Sequence, residues 1–313
     1  MPYVSYCHPL AVSKNENIRL KIMKRLLYIL FFLIIFSSCS TFRNFQVRKE
    51  KQNLKESFHI YLLLGQSNMA GRGDIEEIDT IIHPRVYMLN KDTSWVIAKN
   101  PLHFDSPKAV GTGLGLSFAK KMAEHDTLVT IGLIPCAKGG TSIKHWFVDT
   151  YHKKTNSYPY NETISRIEKG KNRGVIKGVL WHQGESDCKA ENDVKVYKEK
   201  FLAFKDSLEK DLDLKSTPFI IGELGYFLYD KRPLAEDLNE LFKEISFEDN
   251  CIGFVKSDSL NHKGDKVHFN STSYRKLGLR YADEMIKIQE QCLPPTRNKK
   301  HRAKRGIFRR NNF

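Results

Sequence analysis

The amino-acid sequence predicts an α/β fold in one folded domain, with a mainly parallel five-stranded sheet covered by helices on both faces. From residue 58 onward, short apolar runs alternate with amphipathic stretches, which is the pattern of strands and helices in a layered fold. The chain has 313 residues, of which 41% are hydrophobic, and this suffices to bury a sizeable core. In parallel sheets ligands bind beyond the carboxyl ends of the strands, so functional residues are expected directly after each apolar run.

Five apolar runs predict buried strands, at residues 58–64, 128–134, 175–181, 218–224 and 251–255. Helical spacing of apolar residues predicts helices at residues 114–124, 194–212 and 234–245. A last helix is predicted at about residues 272–290, because Leu277, Tyr281 and Met285 follow each other at intervals of four. The sequence contains no internal repeat in this region.

The formal net charge of +15 is confined to the two ends of the chain. Residues 1–57 contribute +7 and residues 297–313 contribute +8, so the segment between them is neutral. A nucleic-acid-binding domain would carry its basic residues on the folded part, and this pattern therefore argues against a nucleic-acid partner. We expect a folded domain at residues 58–292 and a basic, disordered tail at residues 293–313.

Residues 1–39 are expected to contain an export signal. Lys24 and Arg25 precede eleven apolar residues at 26–36, a run too short to span a bilayer permanently but typical of a signal peptide. The signal begins at Met23, which we take as the expected start of the protein. Residues 40–57 are polar and basic and are interpreted as a linker.

The end of the apolar run, Phe36-Ser37-Ser38-Cys39, resembles a bacterial lipoprotein signal in which Cys39 is lipidated. The expected location is therefore outside the cytoplasm, on a lipid anchor in a bacterial membrane, facing the periplasm or the cell surface. An ordinary cleaved signal and an uncleaved signal anchor are the alternatives. Four cysteines lie in the domain without the spacing of a zinc site, and export would permit disulfides whose pairing the sequence does not specify: Cys136, Cys188, Cys251 and Cys292.

A candidate nucleophile follows the first predicted strand, in the segment GQSNMAGRG at residues 65–73. A serine in a glycine-bounded turn directly after a buried strand is exposed at the catalytic edge, as Ser67 is here. A helix-capping serine or a phosphate-binding loop would be the alternatives. The Lys-Ser/Thr pair of a phosphate loop is absent, which favours a nucleophile over the phosphate loop.

The base that a nucleophilic serine requires is predicted near the end of the domain. Asp265 and His268 lie three residues apart, so the carboxylate can orient the imidazole while the other ring nitrogen takes the serine proton. His262 is a weaker candidate, because no aspartate precedes it at that spacing. The loops after the second and third predicted strands add a Gly139-Gly140 pair and Gln183, which can supply hydrogen bonds to a reacting oxygen.

The segments GQSNMAGRG, CAKGGTSIKHW, WHQGESD and DKVH, in this order, resemble the SGNH-hydrolase superfamily. Within it they resemble the sialate O-acetylesterase-like and acetylxylan esterase group, known as carbohydrate esterase family six. The similarity covers about residues 58–290. It implies a three-layer α/β/α sandwich of flavodoxin type, with Ser67 as nucleophile, His268 as general base and Asp265 as its orienting acid.

The resemblance also implies an oxyanion hole made by the Ser67 N–H, a glycine of the 139–140 pair, with Gly140 preferred, and the Gln183 side chain. Supporting positions around the site are assigned to Gln66, Asn68 and Glu185. No metal or organic cofactor is expected. His182, Glu185 and Asp187 could be interpreted as metal ligands, but no other segment supplies a matching pair.

The expected function is hydrolysis of O-acetyl groups on a carbohydrate, such as acetylated xylan, sialic acid or a related glycan. The alternatives are an esterase for other acyl esters and a catalytically decayed glycan-binding protein at the cell surface. Three side chains suit a sugar site, Arg72, Trp95 and Trp146, although core packing is the alternative for Trp146.

Overall fold

The computed structural model describes residues 19, 21–28, 46–214 and 216–292. Residues 21–28 and 46–56 are helical and exposed. In these described parts of the chain, no helix is both long enough and apolar enough to cross a membrane. Cys39, most of the apolar run before it and the basic tail at residues 293–313 lie outside the described residues, so the predictions made for them stay predictions.

The domain contains one sheet with the strand order β3-β2-β4-β1-β5-β6-β7, in which every neighbouring pair is parallel except β2 with β3. The strands are β1 (Phe58–Gly65), β2 (Val86–Leu89), β3 (Trp95–Ile97), β4 (Thr130–Pro135), β5 (Val175–His182), β6 (Phe219–Gly222) and β7 (Ile252–Val255). The helices between and after them are α1 (Ser67–Ala70), α2 (Glu77–Thr80), α3 (Gly115–His125), α4 (Pro159–Gly170), α5 (Glu191–Lys195), α6 (Tyr197–Leu212), α7 (Ala235–Glu248) and α8 (Ser271–Cys292).

The sequence of the central strand β1 is almost entirely apolar because both of its faces are buried. Successive side chains of a strand point to opposite faces, and both faces of this sheet are covered by helices. Tyr61 and Leu63 pack into a core with residues of α3 and α8. Ile60 and Leu62 pack into a second core with residues of α4, α6 and α7. The result is the predicted arrangement of a parallel sheet between two layers of helices.

All five predicted strands are present, and the sheet has two more. Strands β2 and β3 have only four and three residues, and the residues of β3 are partly exposed at the edge of the sheet. A strand of this length carries too few alternating positions to stand out from a loop. Helix α4 is a further element without a clear sequence signal, because only a few of its twelve residues are buried, among them Tyr160 and Ile167.

A disulfide joins Cys251, just before β7, to Cys292, at the end of α8. It closes a loop of 41 residues and ties the last helix to the edge strand of the sheet. Cys136 and Cys188 are free thiols buried in the core. The sequence leaves this pairing open, because the contact between residues 251 and 292 depends on how α8 packs against β7.

The order of the strands determines where the active residues meet. Strand β1 lies between β4 and β5, and all three are parallel. Their carboxyl ends therefore lie side by side, although they are distant from one another along the chain. The loops that follow them begin at residues 66, 136 and 183, and each contains one of the segments singled out above.

Candidate active site

Ser67 lies directly after β1, at the start of the short helix α1, and is almost buried, with 7% of its surface exposed. The turn depends on Gly65, whose φ of +131° is a conformation that favours glycine. A Cβ atom at this position would also overlap the carbonyl oxygen of His182 on the neighbouring strand. Gln66 then donates its backbone N–H to that same carbonyl at 2.9 Å, which anchors the nucleophile loop to β5.

The structure brings Ser67, His268 and Asp265 into one chain of hydrogen bonds. Ser67 Oγ lies 3.0 Å from His268 Nε2, and His268 Nδ1 lies 2.6 Å from Asp265 Oδ2. The other carboxylate oxygen of Asp265 accepts the backbone N–H groups of Val267 and His268 at 2.9 and 2.8 Å. This arrangement can carry the serine proton to Nε2 while Nδ1 stays bound to the carboxylate.

The loop that carries the imidazole is a hairpin at residues 261–270, between β7 and α8. Asn270 N–H donates to the Asn261 carbonyl at 3.0 Å, and Lys263 N–H donates to the His268 carbonyl at 2.9 Å. His262, the other histidine of this loop, accepts N–H groups of the loop itself and packs against Phe227. It therefore has a structural part in the hairpin and does not reach Ser67.

The charges around this chain favour a neutral imidazole and an ionised carboxylate. Partial burial would raise the pKa of Asp265, but hydrogen bonds from the backbone and side chain of His268 outweigh it and lower the pKa to about 2. The pKa of His268 is lowered below 6.5, mainly by burial and further by the positive charges of Arg72 and Lys263, although Asp265 opposes the shift. Neutral His268 can act as a base at physiological pH.

Asn68 connects the nucleophile loop to the His268 loop. Its amide nitrogen donates to Glu185 Oε1 and, at 3.0 Å, to the carbonyl of Val267. Its amide oxygen accepts the Tyr274 hydroxyl at 2.6 Å and the Phe269 N–H at 3.3 Å. The Asn68 side chain therefore holds the backbone on both sides of His268 beside the serine.

Glu185 lies beneath this connection and is 2% exposed. Burial raises its pKa to about 7, although the hydrogen bond from Asn68 opposes the increase. Glu185 contacts Asn68 rather than His268, so the carboxylate that touches the imidazole is Asp265. The supporting role expected for Glu185 stays a prediction, and in the structure its link to the His268 loop runs through Asn68.

The structure does not bring the Gln183 side chain to the reacting serine. Its amide nitrogen donates to Gln66 Oε1 at 3.1 Å, to the Thr141 carbonyl at 3.0 Å and to Asp187. Its amide oxygen accepts the Tyr197 hydroxyl at 2.8 Å, and the side chain is fully buried. Three acceptors thus surround an amide that has two hydrogens to donate, and the expected direct hydrogen bond from Gln183 to an oxyanion stays a prediction. In this geometry Gln183 positions Gln66 and the Thr141 backbone.

The glycine pair after β4 lies against Ser67. Gly139 donates its N–H to Asp105 Oδ2 at 2.7 Å, whereas Gly140 lines the cleft, and no acceptor among the described residues pairs with its N–H. A side chain at position 139 would collide with Arg72 and Asp105. These contacts leave the N–H groups of Gly140 and Ser67 available to a ligand in the cleft.

Asp105 is a site residue that the sequence does not reveal. Its carboxylate is fully buried and accepts both Gly139 N–H and Arg72 Nη2 at 2.7 Å. It lies in the long loop between β3 and α3, away from the strand ends where functional residues are expected. No periodic pattern or motif surrounds it, so only the folded structure identifies it as the support of the 139–140 loop.

We expect Asp105→Asn to destabilise the protein, because it leaves the buried guanidinium of Arg72 without its counter-charge. The expected loss in the free energy of unfolding is about 3–5 kcal/mol, the range for one partner of a buried ion pair. Urea denaturation at neutral pH measures it. The matched control is Asp283→Asn, whose ion pair with Lys121 is exposed, with an expected loss of about 0–1 kcal/mol. Equal losses in both variants would contradict a supporting part for Asp105.

The cleft in front of Ser67 has a volume of about 970 Å³ and is rich in cations. Six basic side chains line it: Arg72, Lys108, Lys154, Lys189, Arg232 and Lys263. The acidic side chains in the same walls are Asp74, Asp105, Glu185 and Asp265. Asp105 and Asp265 are engaged by Arg72 and His268, and burial favours the neutral form of Glu185. The cleft is therefore positively charged within a domain whose net charge is zero.

The remaining sequence candidates lie elsewhere. Trp146 is fully buried against Trp181 and Phe204, and Trp95 packs against Phe58 at the sheet edge. Neither tryptophan lines the cleft, whereas Arg72 does. Trp146 belongs to the core, whereas Trp95 is partly exposed and only packs against the core at the edge of the sheet.

The side chains of the WHQGESD segment that could be interpreted as metal ligands point to separate partners. His182 bonds to the Tyr281 hydroxyl at 3.1 Å, and Asp187 accepts the N–H of Ile143 at 3.0 Å. Across the described residues, no group of three or more histidine, cysteine or acidic side chains could hold a metal ion.

Comparison with known proteins identifies relatives of the whole domain. The sequence model of the family described as carbohydrate esterase, sialic acid-specific acetylesterase, matches residues 57–287. A probable carbohydrate esterase of Arabidopsis thaliana is 33% identical over 250 residues, which are 72% of this chain and 90% of that protein.

The solved structures that share the fold include the following two. The crystal structure of a protein from Arabidopsis thaliana superposes with a TM-score of 0.65 at 29% identity, covering 73% of this chain and 98% of that one. The crystal structure of NanS superposes with a TM-score of 0.60 at 17% identity, covering 75% and 98%. The similarity to NanS concerns the fold alone.

Proposed function

The chain belongs to the carbohydrate esterase family of sialic acid-specific acetylesterases, and from this membership we propose that it removes O-acetyl groups from an acidic sugar through an acyl-enzyme on Ser67. The observation that carries the proposal is the hydrogen-bonded chain of Ser67, His268 and Asp265 at the base of a cationic cleft. The geometry suits nucleophilic attack by an activated serine.

In the first half of the reaction, Ser67 Oγ forms a bond to the acetyl carbonyl carbon while His268 Nε2 takes the serine proton. The C–O bond to the sugar then breaks, and His268 returns the proton to the departing sugar hydroxyl. Asp265 keeps the imidazole in the required orientation and stabilises its positive charge while it holds the extra proton.

The oxygen of the attacked carbonyl acquires negative charge in this step. The N–H groups of Ser67 and Gly140 are the donors that support an oxyanion hole here, since both residues line the cleft and both N–H groups are unpaired among the described residues. Removing one such donor typically lowers turnover by about 10²–10³. Gln183 contributes through the loops that it holds in place.

In the second half of the reaction, water attacks the acetyl-serine carbonyl while His268 takes a proton from the water. The bond between the carbonyl carbon and Ser67 Oγ breaks, acetic acid leaves and ionises in solution, and His268 returns its proton to the serine. Each cycle thus consumes one water and one ester and yields one alcohol and one acetic acid, with no net change in the enzyme.

The charge of the cleft favours an acidic sugar such as an acetylated sialic acid over neutral acetylated xylan. Lys108, Lys154, Lys189 and Arg232 form no ion pair with any carboxylate among the described residues. Arg232 in addition has a buried guanidinium nitrogen, Nη1, that lacks a hydrogen-bond partner in that set. A guanidinium in this state suits a carboxylate, which it can bind through two parallel hydrogen bonds.

The experiment that tests the proposal compares acetate release from O-acetylated sialic acid and from acetylated xylan, using wild type and Arg232→Gln. The ratio of kcat/KM for the acidic substrate over the neutral one should exceed 1 in the wild type and fall about tenfold in the variant, the effect of one lost charge-assisted hydrogen bond. Arg280→Gln, an arginine of α8 away from the cleft, is the matched control. A higher kcat/KM for acetylated xylan than for O-acetylated sialic acid in the wild type would contradict the proposal that the substrate is an acidic sugar.

Two other functions are less well supported. A cleft of this size could accept other acyl esters, and the same substrate panel would reveal them by higher activity on longer acyl chains. A decayed glycan-binding protein would have lost a residue of the reacting chain, whereas Ser67, His268 and Asp265 are all retained within hydrogen-bonding distance.

The proposed location is outside the cytoplasm, on a lipid anchor at Cys39. The signal-like segment before Cys39 supports export, and the Cys251–Cys292 disulfide is of the kind that persists in oxidising compartments. Membrane fractionation of cells that produce the full chain tests it, since Cys39→Ser should move the protein to the soluble fraction.

A further inference from the structure

A second cavity lies beside the catalytic cleft and shares a wall with it. It has a volume of about 520 Å³, within the range of about 300–1,000 Å³ typical of small-molecule sites. Asp105 lines both spaces, and Ala137 and Lys138 of the second cavity immediately precede Gly139 and Gly140 of the cleft. A ligand that extends from Ser67 across this wall would enter the second cavity.

Two buried polar atoms in the lining of the second cavity have no hydrogen-bond partner among the described residues, namely His103 Nε2 and Asp105 Oδ1. The hydroxyl of Thr163 lines the same cavity, within hydrogen-bonding reach of the Cys136 thiol. His103 is 2% exposed and Thr163 is 1% exposed, and the Asp105 side chain is fully buried. Leaving a buried polar group unpaired is unfavourable, so two such atoms beside a buried hydroxyl around one cavity indicate a polar occupant.

The chemistry of these atoms specifies the kind of occupant. Burial lowers the pKa of His103 to about 4, so its ring is neutral, and the ring also bonds to the backbone of Leu63. The free Nε2 is then an acceptor, as is Asp105 Oδ1, while the Thr163 hydroxyl can donate or accept. A ligand with several hydroxyl groups satisfies all three atoms.

The entrance to the second cavity carries exposed aromatic side chains. Tyr158 lines the cavity and is 46% exposed, and its ring lies 5.3 Å from that of Tyr151, which is equally exposed. Between them in the chain, Lys154 and Thr155 line the catalytic cleft. One loop therefore borders both spaces and presents aromatic faces, on which the apolar face of a sugar ring can stack.

We infer that the second cavity binds a neighbouring sugar unit of an oligosaccharide whose acetyl ester lies at Ser67. This inference rests on the proposed function and deepens it, because it makes a glycan chain, and not a free monosaccharide, the preferred substrate. The sugar hydroxyls bind His103, Asp105 and Thr163, and the sugar ring stacks on Tyr158. The catalytic groups themselves are not required for this binding.

The test measures kcat/KM for 4-nitrophenyl acetate, an acetylated monosaccharide and an acetylated oligosaccharide that contains the same monosaccharide. The wild type should prefer the oligosaccharide to the monosaccharide about tenfold, and Tyr158→Ala and Thr163→Val should each reduce that preference to about twofold or less. Phe247→Ala, which removes an exposed aromatic ring of α7 outside both spaces, should keep the preference.

Binding is measured separately by titrating Ser67→Ala with the deacetylated oligosaccharide and following the tyrosine resonances by NMR, with and without Tyr158→Ala. Equal kcat/KM for both sugars in the wild type, or an unchanged preference in Tyr158→Ala and Thr163→Val, would overturn the subsite and leave only water as the occupant. Failure of the proposed function is distinguishable, because the wild type would then release no acetate even from 4-nitrophenyl acetate.

Discussion

Ser67→Ala is expected to lower kcat for acetyl esters by about 10³–10⁶, the range for loss of a serine nucleophile. The 3.0 Å contact between Ser67 Oγ and His268 Nε2 places the nucleophile next to its base, and alanine has no oxygen to replace it. Ser67 has a small side chain in a turn that Gly65 and Gln66 define, so the variant should fold like the wild type. Acetate release under saturating substrate measures the effect.

The acyl-enzyme gives a second readout for the same residue. Wild type quenched with acid during turnover should carry one acetyl group on the peptide that contains Ser67, and Ser67→Ala should carry none. Ser246→Ala, which removes a hydroxyl of α7 that donates to the Lys243 carbonyl, is the matched control and should retain wild-type kcat. Substantial hydrolysis by Ser67→Ala, or an acetyl group on another residue, would show that a different nucleophile acts.

Asp265→Asn is expected to lower kcat by about 10³–10⁴, because an amide in this place can hold the imidazole in the wrong tautomer. The carboxylate accepts His268 Nδ1 at 2.6 Å and also two backbone N–H groups of its own loop. Asparagine has nearly the same shape, so the loss reports on charge and tautomer more than on packing.

Glu185→Gln is the matched comparison for Asp265→Asn. Glutamine keeps an oxygen for the hydrogen bond from Asn68, and Glu185 does not contact His268, so its expected effect is less than about tenfold. A loss in Glu185→Gln as large as that in Asp265→Asn would mean that Glu185 acts on the imidazole. The two variants therefore decide which buried or partly buried carboxylate supports the base.

The pH dependence of kcat/KM reports the pKa of His268 and the direction in which Asp265 shifts it. Only neutral His268 can accept the serine proton, so activity should rise with pH through its pKa, which lies below 6.5, and then level off. Asp265 raises that pKa by its charge and its hydrogen bond. In the residual activity of Asp265→Asn, the acidic limb should therefore move to lower pH. A shift to higher pH would contradict the assignment.

The proposed reacting groups are those that short motifs of the sequence indicate. Ser67 can be identified because a serine follows an apolar strand within a glycine-rich turn, and Asp265 with His268 because their spacing allows mutual contact. The long strands are predictable for the same local reason, since buried parallel strands are nearly continuous apolar runs. The short strands β2 and β3 carry too few residues to give such a signal.

The place of Gln183 shows where motif reasoning is insufficient. The sequence indicates a side-chain amide after β5, but its direction depends on which acceptors the neighbouring loops supply. Thr141, Gln66 and Asp187 surround it in the fold, and they engage the amide below the cleft. Asp105 cannot be predicted from the sequence, because no local pattern marks it. Its part in the site depends on its contacts with Gly139 and Arg72 in the folded chain.

The fold class, the family and the candidate reacting side chains can all be inferred from the amino-acid sequence, because they follow from periodicity and from motifs of a few neighbouring residues. The Cys251–Cys292 pairing, the support by Asp105, the direction of Gln183 and the cationic cleft with its second cavity emerge only in the folded chain. These features join residues that are distant in the chain, and their contacts arise from the order of the strands and the packing of helices, which no local pattern encodes.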